Sequence, residues 1–183
     1  PFIVGDEIDV LGRLILCAEK VKGTDIFRVT SESPFPSYDY VQEAWTQHVA
    51  SEADATFFDD VVDGCGFEII RLEALKNAHQ NGEDRHRSEM CSLFLRENIK
   101  KYKIKRFGAP SELNRKDLRL TVDNPEDLVL CKAVYKNFID LAPRIPLNKI
   151  ISFLDMNKDL VRLTEPFTEI GYESMYLWSD DEK

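Results

Sequence analysis

Hydrophobic residues recur along the chain at two spacings, and these spacings predict alternating helices and strands. Over residues 10–21 the apolar residues fall on one helix face, with Asp9 as a candidate cap and Gly23 as a stop. Residues 25–31 alternate in polarity and are rich in β-forming side chains, which predicts a strand. Further strands are predicted around 55–61 and 103–109, a strand running into a helix over 66–82, and further helices over 38–50, 85–103, 124–141 and 146–163.

The stretch LRLTVDNPEDL, residues 118–128, predicts the end of a strand that runs directly into a helix. Apolar and polar residues alternate over 118–122, Asn124 is a good N-cap, and Pro125 suits the first helical position. Asp123 falls between the two elements, at the carboxyl end of the predicted strand. Ligands bind at that end of the strands in an open α/β sheet, so Asp123 is a candidate site residue.

Strands that alternate with helices predict an α/β fold with a largely parallel sheet. A chain of 183 residues can form one domain with a substantial core, and we expect a single domain over residues 1–183. The net charge of −9 argues against nucleic acid or an anionic membrane as the main partner. No apolar run reaches the roughly 18 residues of a membrane helix, so we expect no membrane span.

The four cysteines are widely and irregularly spaced, without a CxxC pair. We expect Cys17 and Cys131, which lie among apolar residues on predicted helices, to be buried thiols. This cysteine usage is typical of a reducing, cytoplasmic compartment, and it predicts no structural zinc site.

Two carboxylates, Glu32 and Asp123, follow similar Arg-x-Thr runs at predicted strand ends, 91 positions apart. Brought together at one edge of the sheet, they could hold Mg²⁺, which prefers oxygen ligands and usually contacts a substrate phosphate as well. The alternative is that Asp123 is only a helix-start acid and Glu32 a solvated loop residue. Spacing alone leaves both interpretations open.

Other charged residues allow a similar choice between binding and structural roles. Arg28 and Arg119 lie inside predicted strands, so each is expected to pair with an acid or to reach an anion. Two glycines precede Glu68, where the backbone could bend beside a ligand or form a plain turn. Arg85 and Arg87 could bind the carboxylate of an acidic sugar, or they could belong to an exposed helix start. The chain has no Ser-His-Asp set, HExxH motif or P-loop.

Five segments in order resemble those of one enzyme family: GDEIDVLGR, RVTSESPF, DGCGFEIIRLEAL, SEMCSLFLREN and, most specifically, LRLTVDNPEDL. The family is the spore coat polysaccharide biosynthesis protein F-like sugar cytidylyltransferases, which are relatives of the acylneuraminate and 3-deoxy-manno-octulosonate cytidylyltransferases. The resemblance implies a Rossmann-like nucleotidyltransferase fold of the nucleotide-diphospho-sugar transferase type. Residues 55–103 would then form a sugar-facing or dimerisation subdomain, and residues 146–183 the C-terminal helices and tail.

The resemblance also implies an activity, in which CMP passes from CTP to a nonulosonic-type sugar or sugar acid and pyrophosphate is released, for surface polysaccharide synthesis. Mg²⁺ would assist, and the protein would be a cytoplasmic homodimer. By position, the residues expected at the site are Glu32 and Asp123 as metal ligands and catalytic residues, Arg28 as a further catalytic residue, and Glu68, Arg87, Glu89 and Arg119 on the sugar side.

Three departures from the family pattern qualify this transfer. The family begins with a strand and a glycine- and arginine-rich nucleotide loop, and this chain starts after them, so the first βαβ unit is expected to be missing. Glu32 replaces an Asp, while Met90 and Ser92 replace a His and a Thr. The chain could therefore be a fragment of an active enzyme, an inactive homologue acting as a sugar-binding or assembly module, or a chain whose nucleotide loop comes from another polypeptide.

Overall fold

The computed structural model describes residues 2–175 of the chain. Four strands and seven α-helices are found within these residues, together with several short 3₁₀ turns. The strands are β1 (Asp25–Arg28), β2 (Ala55–Phe58), β3 (Phe67–Arg71) and β4 (Ile104–Arg106). The helices are α1 (Val10–Lys20), α2 (Val41–Ala50), α3 (Leu72–Asn81), α4 (Leu93–Glu97), α5 (Pro125–Asn137), α6 (Leu147–Met156) and α7 (Lys158–Met175).

The four strands form one sheet in the order β1-β3-β2-β4. The α/β class is as predicted, but the expectation of a largely parallel sheet is wrong for the described strands. β3 pairs antiparallel with both β1 and β2, and only β2 and β4 run parallel. The reason is the short connection at residues 59–66, because a parallel crossover needs a dozen or more residues while an antiparallel return does not.

The two central strands are buried on both faces, with a helical layer on each side. Phe58 of β2 and Ile69 of β3 belong to the cluster that includes Leu130 of α5 and residues of α6. Phe57 and Ile70 point the other way and pack with residues of α1 and α3. Since successive strand residues face opposite sides, both are mostly apolar when both sides are covered, and Thr56 and Glu68 are the buried polar residues of β2 and β3. This is why β2 and β3 lack the polar alternation of a half-exposed strand.

Residues 118–122 are an extended loop rather than the predicted strand. The backbone N–H of Leu120 donates to the carbonyl of Asp63 at 2.8 Å, and one isolated parallel bridge joins Asp63 to Arg119. The helix that follows begins as predicted, with Pro125 at its first position and the N–H of Asn124 bonded to Asp127 at 2.9 Å. α5 ends at Asn137, short of the predicted end at about residue 141.

The single amphipathic helix predicted over residues 85–103 is also wrong. A 3₁₀ turn at Asp84–Arg87, the short helix α4 and a second 3₁₀ turn at Ile99–Lys101 occupy this region. Ser88 has an extended backbone that interrupts the helical path. Both Ser92 and Arg96 are buried, so the face that looked polar in the sequence points into the protein.

Other expectations have mixed outcomes. Of the two cysteines expected to be buried, Cys131 is buried but Cys17 is exposed, because it lies on the outer side of α1. No helix among residues 2–175 is long and apolar enough to cross a membrane. The subdomain boundaries stay a prediction, and the C-terminal tail beyond residue 175 lies outside the described residues.

Candidate functional site

A cavity of about 420 Å³ opens beside the carboxyl end of β1. Its walls come from the loops after β1 and β2, the start of β3, the loop before α4, the loop before α5, and α7. Six of the seven site residues predicted from the sequence line this cavity, namely Arg28, Glu32, Glu68, Glu89, Arg119 and Asp123. Residues up to 95 positions apart in the sequence therefore line one cavity.

Sheet register brings Arg28 to the cavity wall. The antiparallel pairing of β1 and β3 sets Arg28 opposite Glu68, and the two side chains form an ion pair at 2.9 Å. The same guanidinium donates to the backbone carbonyl of Glu89 at 2.9 Å. Of the two roles left open for Arg28, the structure shows pairing with an acid.

Arg96 is the largest contribution to the site that sequence reasoning missed. Its guanidinium is almost fully buried and binds Asp59 at 2.6 Å and Glu68 at 2.9 Å. It also lies over the ring of Phe57, 4.0 Å from the centroid, and its Nε donates to Ser92 Oγ at 3.1 Å. Ser92 and Arg96 are four positions apart, the spacing of neighbours on one helix face, and this was the available signal.

Glu68 is ionised in this setting despite being buried. Burial by itself would raise the pKa of Glu68, but the charges of Arg28 and Arg96, with hydrogen bonds from Ser92 and Arg96, lower it to about 2. Ser92 Oγ donates to Glu68 at 2.6 Å. The carboxylate therefore joins the two arginines into one charged network along a wall of the cavity.

A second network surrounds Arg119. Its guanidinium binds the buried carboxylates of Asp63 at 2.9 Å and Asp127 at 3.0 Å, and it also donates to Asp123. The side chain of Asp123 is 51% exposed, whereas those of Asp63 and Asp127 are 1% and 0% exposed. Arg119 is thus anchored in the core and presents Asp123 at the cavity surface.

Glycines allow the backbone to close tightly around this second network. Gly64 has a φ of +81°, which residues with a side chain rarely adopt, and a Cβ there would lie 2.4 Å from the backbone nitrogen of Thr121. On α7, a Cβ at Gly171 would lie 2.5 Å from Nη1 of Arg119. Glycine at position 64 is therefore needed so that the loop before β3 can pack against the loop that contains Thr121.

A backbone hydrogen bond joins the loops that carry the two candidate metal ligands. The N–H of Val122 donates to the carbonyl of Glu32 at 2.9 Å, so the loops that carry Glu32 and Asp123 lie directly against each other. Oδ2 of Asp123 accepts a hydrogen bond from Arg119 and a long one, at 3.4 Å, from Thr121.

Among the described residues, no group of three or more His, Cys, Asp and Glu side chains is placed to hold a metal ion by itself. Mg²⁺ is commonly bound by one or two carboxylates, with substrate phosphates and water completing its coordination. Two carboxylates that line one open cavity from contacting loops fit such a site. The roles of Glu32 and Asp123 as metal ligands stay a prediction.

Arg87 is the one predicted site residue that does not line the cavity. Its guanidinium pairs with Asp84 at 3.0 Å and donates to the carbonyl of His79 at 3.2 Å. Arg85, its neighbour in the sequence, forms a two-pronged ion pair with Glu97 at 2.5 and 2.9 Å. Both arginines hold the 83–97 segment together, and Arg87 is not part of the cavity lining.

Comparison with known proteins gives a consistent pattern. The chain is 25% identical over 171 residues to the uncharacterized protein MJ1063 of Methanocaldococcus jannaschii, an alignment that covers 93% of this chain and 70% of that protein. It is 27% identical over 164 residues to the spore coat polysaccharide biosynthesis protein SpsF of Bacillus subtilis, covering 85% and 65%. A cytidylyltransferase structure from Leptospira borgpetersenii matches with a TM-score of 0.77 at 19% identity, covering 86% of this chain and 66% of that one. The chain is therefore similar in sequence to SpsF, and its fold is that of the matched cytidylyltransferase structure.

The Rossmann-like nucleotidyltransferase fold implied by the sequence motifs is therefore confirmed, as is the resemblance to SpsF. No protein-family model matches the chain. The chain spans only about two thirds of the length of these relatives, 65% of SpsF and 70% of MJ1063.

Proposed function

We propose that the chain belongs to a sugar cytidylyltransferase, which transfers CMP from CTP to a sugar hydroxyl for surface polysaccharide synthesis. The carrying observation is that Glu32 and Asp123 lie on two contacting loops at one cavity. The match in fold to a cytidylyltransferase supports the type of reaction. The name of SpsF, a spore coat polysaccharide biosynthesis protein, supports the biological setting.

In the proposed reaction, the sugar hydroxyl oxygen forms a bond to the α-phosphorus of CTP while the bond to the bridging oxygen breaks. The products are a CMP-sugar and pyrophosphate, and the hydroxyl proton leaves to water. Asp123 and Glu32 would hold Mg²⁺, which when bound neutralises charge on the phosphate oxygens. Glu32 is one methylene longer than the Asp of the family pattern, and its half-buried position at the cavity still allows it to reach inward.

Arg119 acts in this proposal as a positioning residue. Its ion pairs to Asp63 and Asp127 fix the guanidinium in the core, so its bond to Asp123 holds that carboxylate in one direction. The buried ion pairs of Arg119 with Asp63 and Asp127 therefore fix the position of the exposed carboxylate of Asp123.

Calorimetric titration of the chain with CTP, with and without Mg²⁺, tests this proposal. We expect binding that requires Mg²⁺ and that weakens by about ten-fold or more in Asp123→Asn, because the amide is a poorer ligand for a hard cation. Asp140→Asn is the matched control, since Asp140 is an exposed aspartate outside the cavity. Formation of a CMP-sugar from CTP, followed by ³¹P NMR, then tests turnover.

Nucleotide binding that ignores both Mg²⁺ and the Asp123 substitution would remove the metal role from the proposal. Sugar binding by a folded chain that shows no affinity for CTP would replace the enzyme with a sugar-binding module. Circular dichroism of each variant separates these outcomes from misfolding.

A further inference from the structure

Helix α7 packs directly against the Arg119 cluster, and the inference drawn from this contact rests on the function proposed above. Two residues of α7 line the cavity, Phe167 and Gly171, and their spacing of four places them on one face of the helix. Gly171 is buried. Glycine is, after proline, the residue least favourable to a helix interior, so a buried glycine in a helix indicates a close contact at that point.

The close contact at Gly171 is with a buried ion pair. A Cβ at this position would lie 2.5 Å from Nη1 of Arg119 and 3.0 Å from Oδ2 of Asp63. These are the two atoms that form the Arg119–Asp63 ion pair, which are 2.9 Å apart. The backbone of α7 therefore covers this ion pair so closely that even the methyl group of alanine would not fit without a shift.

A methyl group at position 171 should displace the guanidinium rather than the helix. α7 is held in place along the same face, where Thr164 and Thr168 are only 1% and 6% exposed. The end of a side chain shifts more readily than a packed helix. The displacement would still be costly, because the guanidinium of Arg119 is bound to the buried carboxylates of Asp63 and Asp127.

We propose that Gly171 is a positioning residue for the metal site, because its missing side chain leaves the space in which Arg119 holds Asp123 toward the cavity. Arg119 donates to Asp63 through Nη1 and to Asp123 through Nη2. The guanidinium is planar and rigid, so a displacement at Nη1 also moves Nη2 and changes the direction of the Asp123 carboxylate. A residue of α7 thus controls the geometry of a ligand in the LRLTVDNPEDL motif.

Gly171→Ala tests this proposal on the intact chain, with Gly108→Ala as the matched control. Gly108 is exposed and lies outside the cavity, and apart from its chain neighbours no described residue comes within 4 Å of a Cβ there. NMR of the arginine Nε–Hε signals gives a readout that needs no ligand. We expect the signal of Arg119, assigned by its loss in Arg119→Lys, to shift in Gly171→Ala and to stay in place in the control. An unshifted signal would overturn the proposal.

Calorimetric titration with CTP and Mg²⁺ gives the functional readout. We expect Gly171→Ala to weaken Mg²⁺-dependent binding about ten-fold and Gly108→Ala to leave it unchanged. In the Asp123→Asn background the effect of Gly171→Ala should fall below about two-fold, because the carboxylate that it positions is already absent. Equal weakening in both backgrounds would mean that Gly171 serves only the packing of α7, and the proposal would fail.

The wild-type chain provides a test that does not depend on the folding of Gly171→Ala. The proposal requires nuclear Overhauser contacts between the α-protons of Gly171 and the side chain of Arg119. Their presence supports the proposal, and their absence would overturn it, since Arg119 would then not occupy the space that the glycine leaves.

The NMR and calorimetric readouts allow this proposal and the proposed reaction to fail separately. A chain that binds CTP with Mg²⁺ through Asp123, and whose Arg119 signal and CTP affinity are unchanged in Gly171→Ala, keeps the reaction and loses the role of Gly171. A chain whose Arg119 signal shifts in Gly171→Ala, but which binds no CTP, keeps Gly171 as a positioning residue for Arg119 and Asp123 and loses the reaction.

Discussion

Arg96 and Arg119 both bind several carboxylates at the cavity wall, but the two clusters differ in where their acids point. The acids around Arg96, Asp59 and Glu68, are 10% and 9% exposed. The acids around Arg119 include two that are buried and a third, Asp123, that is half exposed. The first cluster is closed and the second opens onto the cavity. The comparison indicates that Arg96 mainly secures the wall, while Arg119 connects the core to a group that can meet a ligand.

Removal of Arg96, the cation of the closed cluster, is expected to have the largest effect on stability. Arg96→Met leaves Asp59 and Glu68 buried without their shared counter-charge, and the loss of one partner from such a pair costs about 3–5 kcal/mol. We expect the free energy of unfolding, measured with urea, to fall by that amount.

Arg162→Met is the control for this variant. Its ion pair with Asp159 is almost fully exposed, so its loss should change stability by less than about 1 kcal/mol. A similar small effect for Arg96→Met would mean that the cluster relaxes or takes up water, and the distinction between closed and open clusters would fail.

Acid titration tests the same cluster from its carboxylate side. The pKa of Glu68 is lowered from its ordinary value to about 2, so its stabilisation is complete above the unfolded-state pKa and is lost as the pH falls toward the folded-state value. We expect Glu68→Gln to be less stable than the wild type at pH 7. That difference should shrink below pH 5, by about 2 kcal/mol at pH 3.

Urea unfolding at a series of pH values measures this convergence. Glu165→Gln, at an exposed glutamate, should run parallel to the wild type over the same range. Curves for Glu68→Gln that also stay parallel to the wild type would show that Glu68 is not ionised through its arginine partners.

Features that depend on neighbouring residues could be predicted from the sequence. Several local features were predicted well: the α-helix at 41–50, the start of α5 at Asn124 and Pro125, and the positions of the four observed strands, although the strand predicted over 118–122 is absent. Each depends on neighbouring residues, through periodicity or capping. The residue patterns and the resemblance together named six residues that do line one cavity.

What the sequence could not show depends on long-range register. Arg28 meets Glu68 only because β1 and β3 pair antiparallel, and Arg96 meets Asp59 from 37 positions away. Neither contact leaves a local pattern. Arg87 was misplaced for the same reason, since its identity as a basic residue near a glutamate said nothing about which side of the segment it would face.

Substitutions in the Arg119 cluster should lower the free energy of unfolding by less than Arg96→Met does. The size of the effect should differ between its exposed acid, Asp123, and its buried acid, Asp63. Asp123→Asn removes a half-exposed partner of Arg119, and exposed pairs contribute about 0–1 kcal/mol, so we expect stability to change by no more than this. Asp63→Asn alters a fully buried partner of the same arginine and should cost clearly more. Urea unfolding of both variants measures the two values.

The stability and the CTP binding of Asp123→Asn together decide the role of Asp123. A small loss of stability in Asp123→Asn together with a large loss of Mg²⁺-dependent CTP binding would mean that Asp123 is kept for its ligand, since its contribution to the fold is minor. A large loss of stability would make Asp123 part of the structural cluster, as the helix-start interpretation of this residue implied. The contrast between anchoring and binding acids therefore depends on one result, a larger loss of stability in Asp63→Asn than in Asp123→Asn.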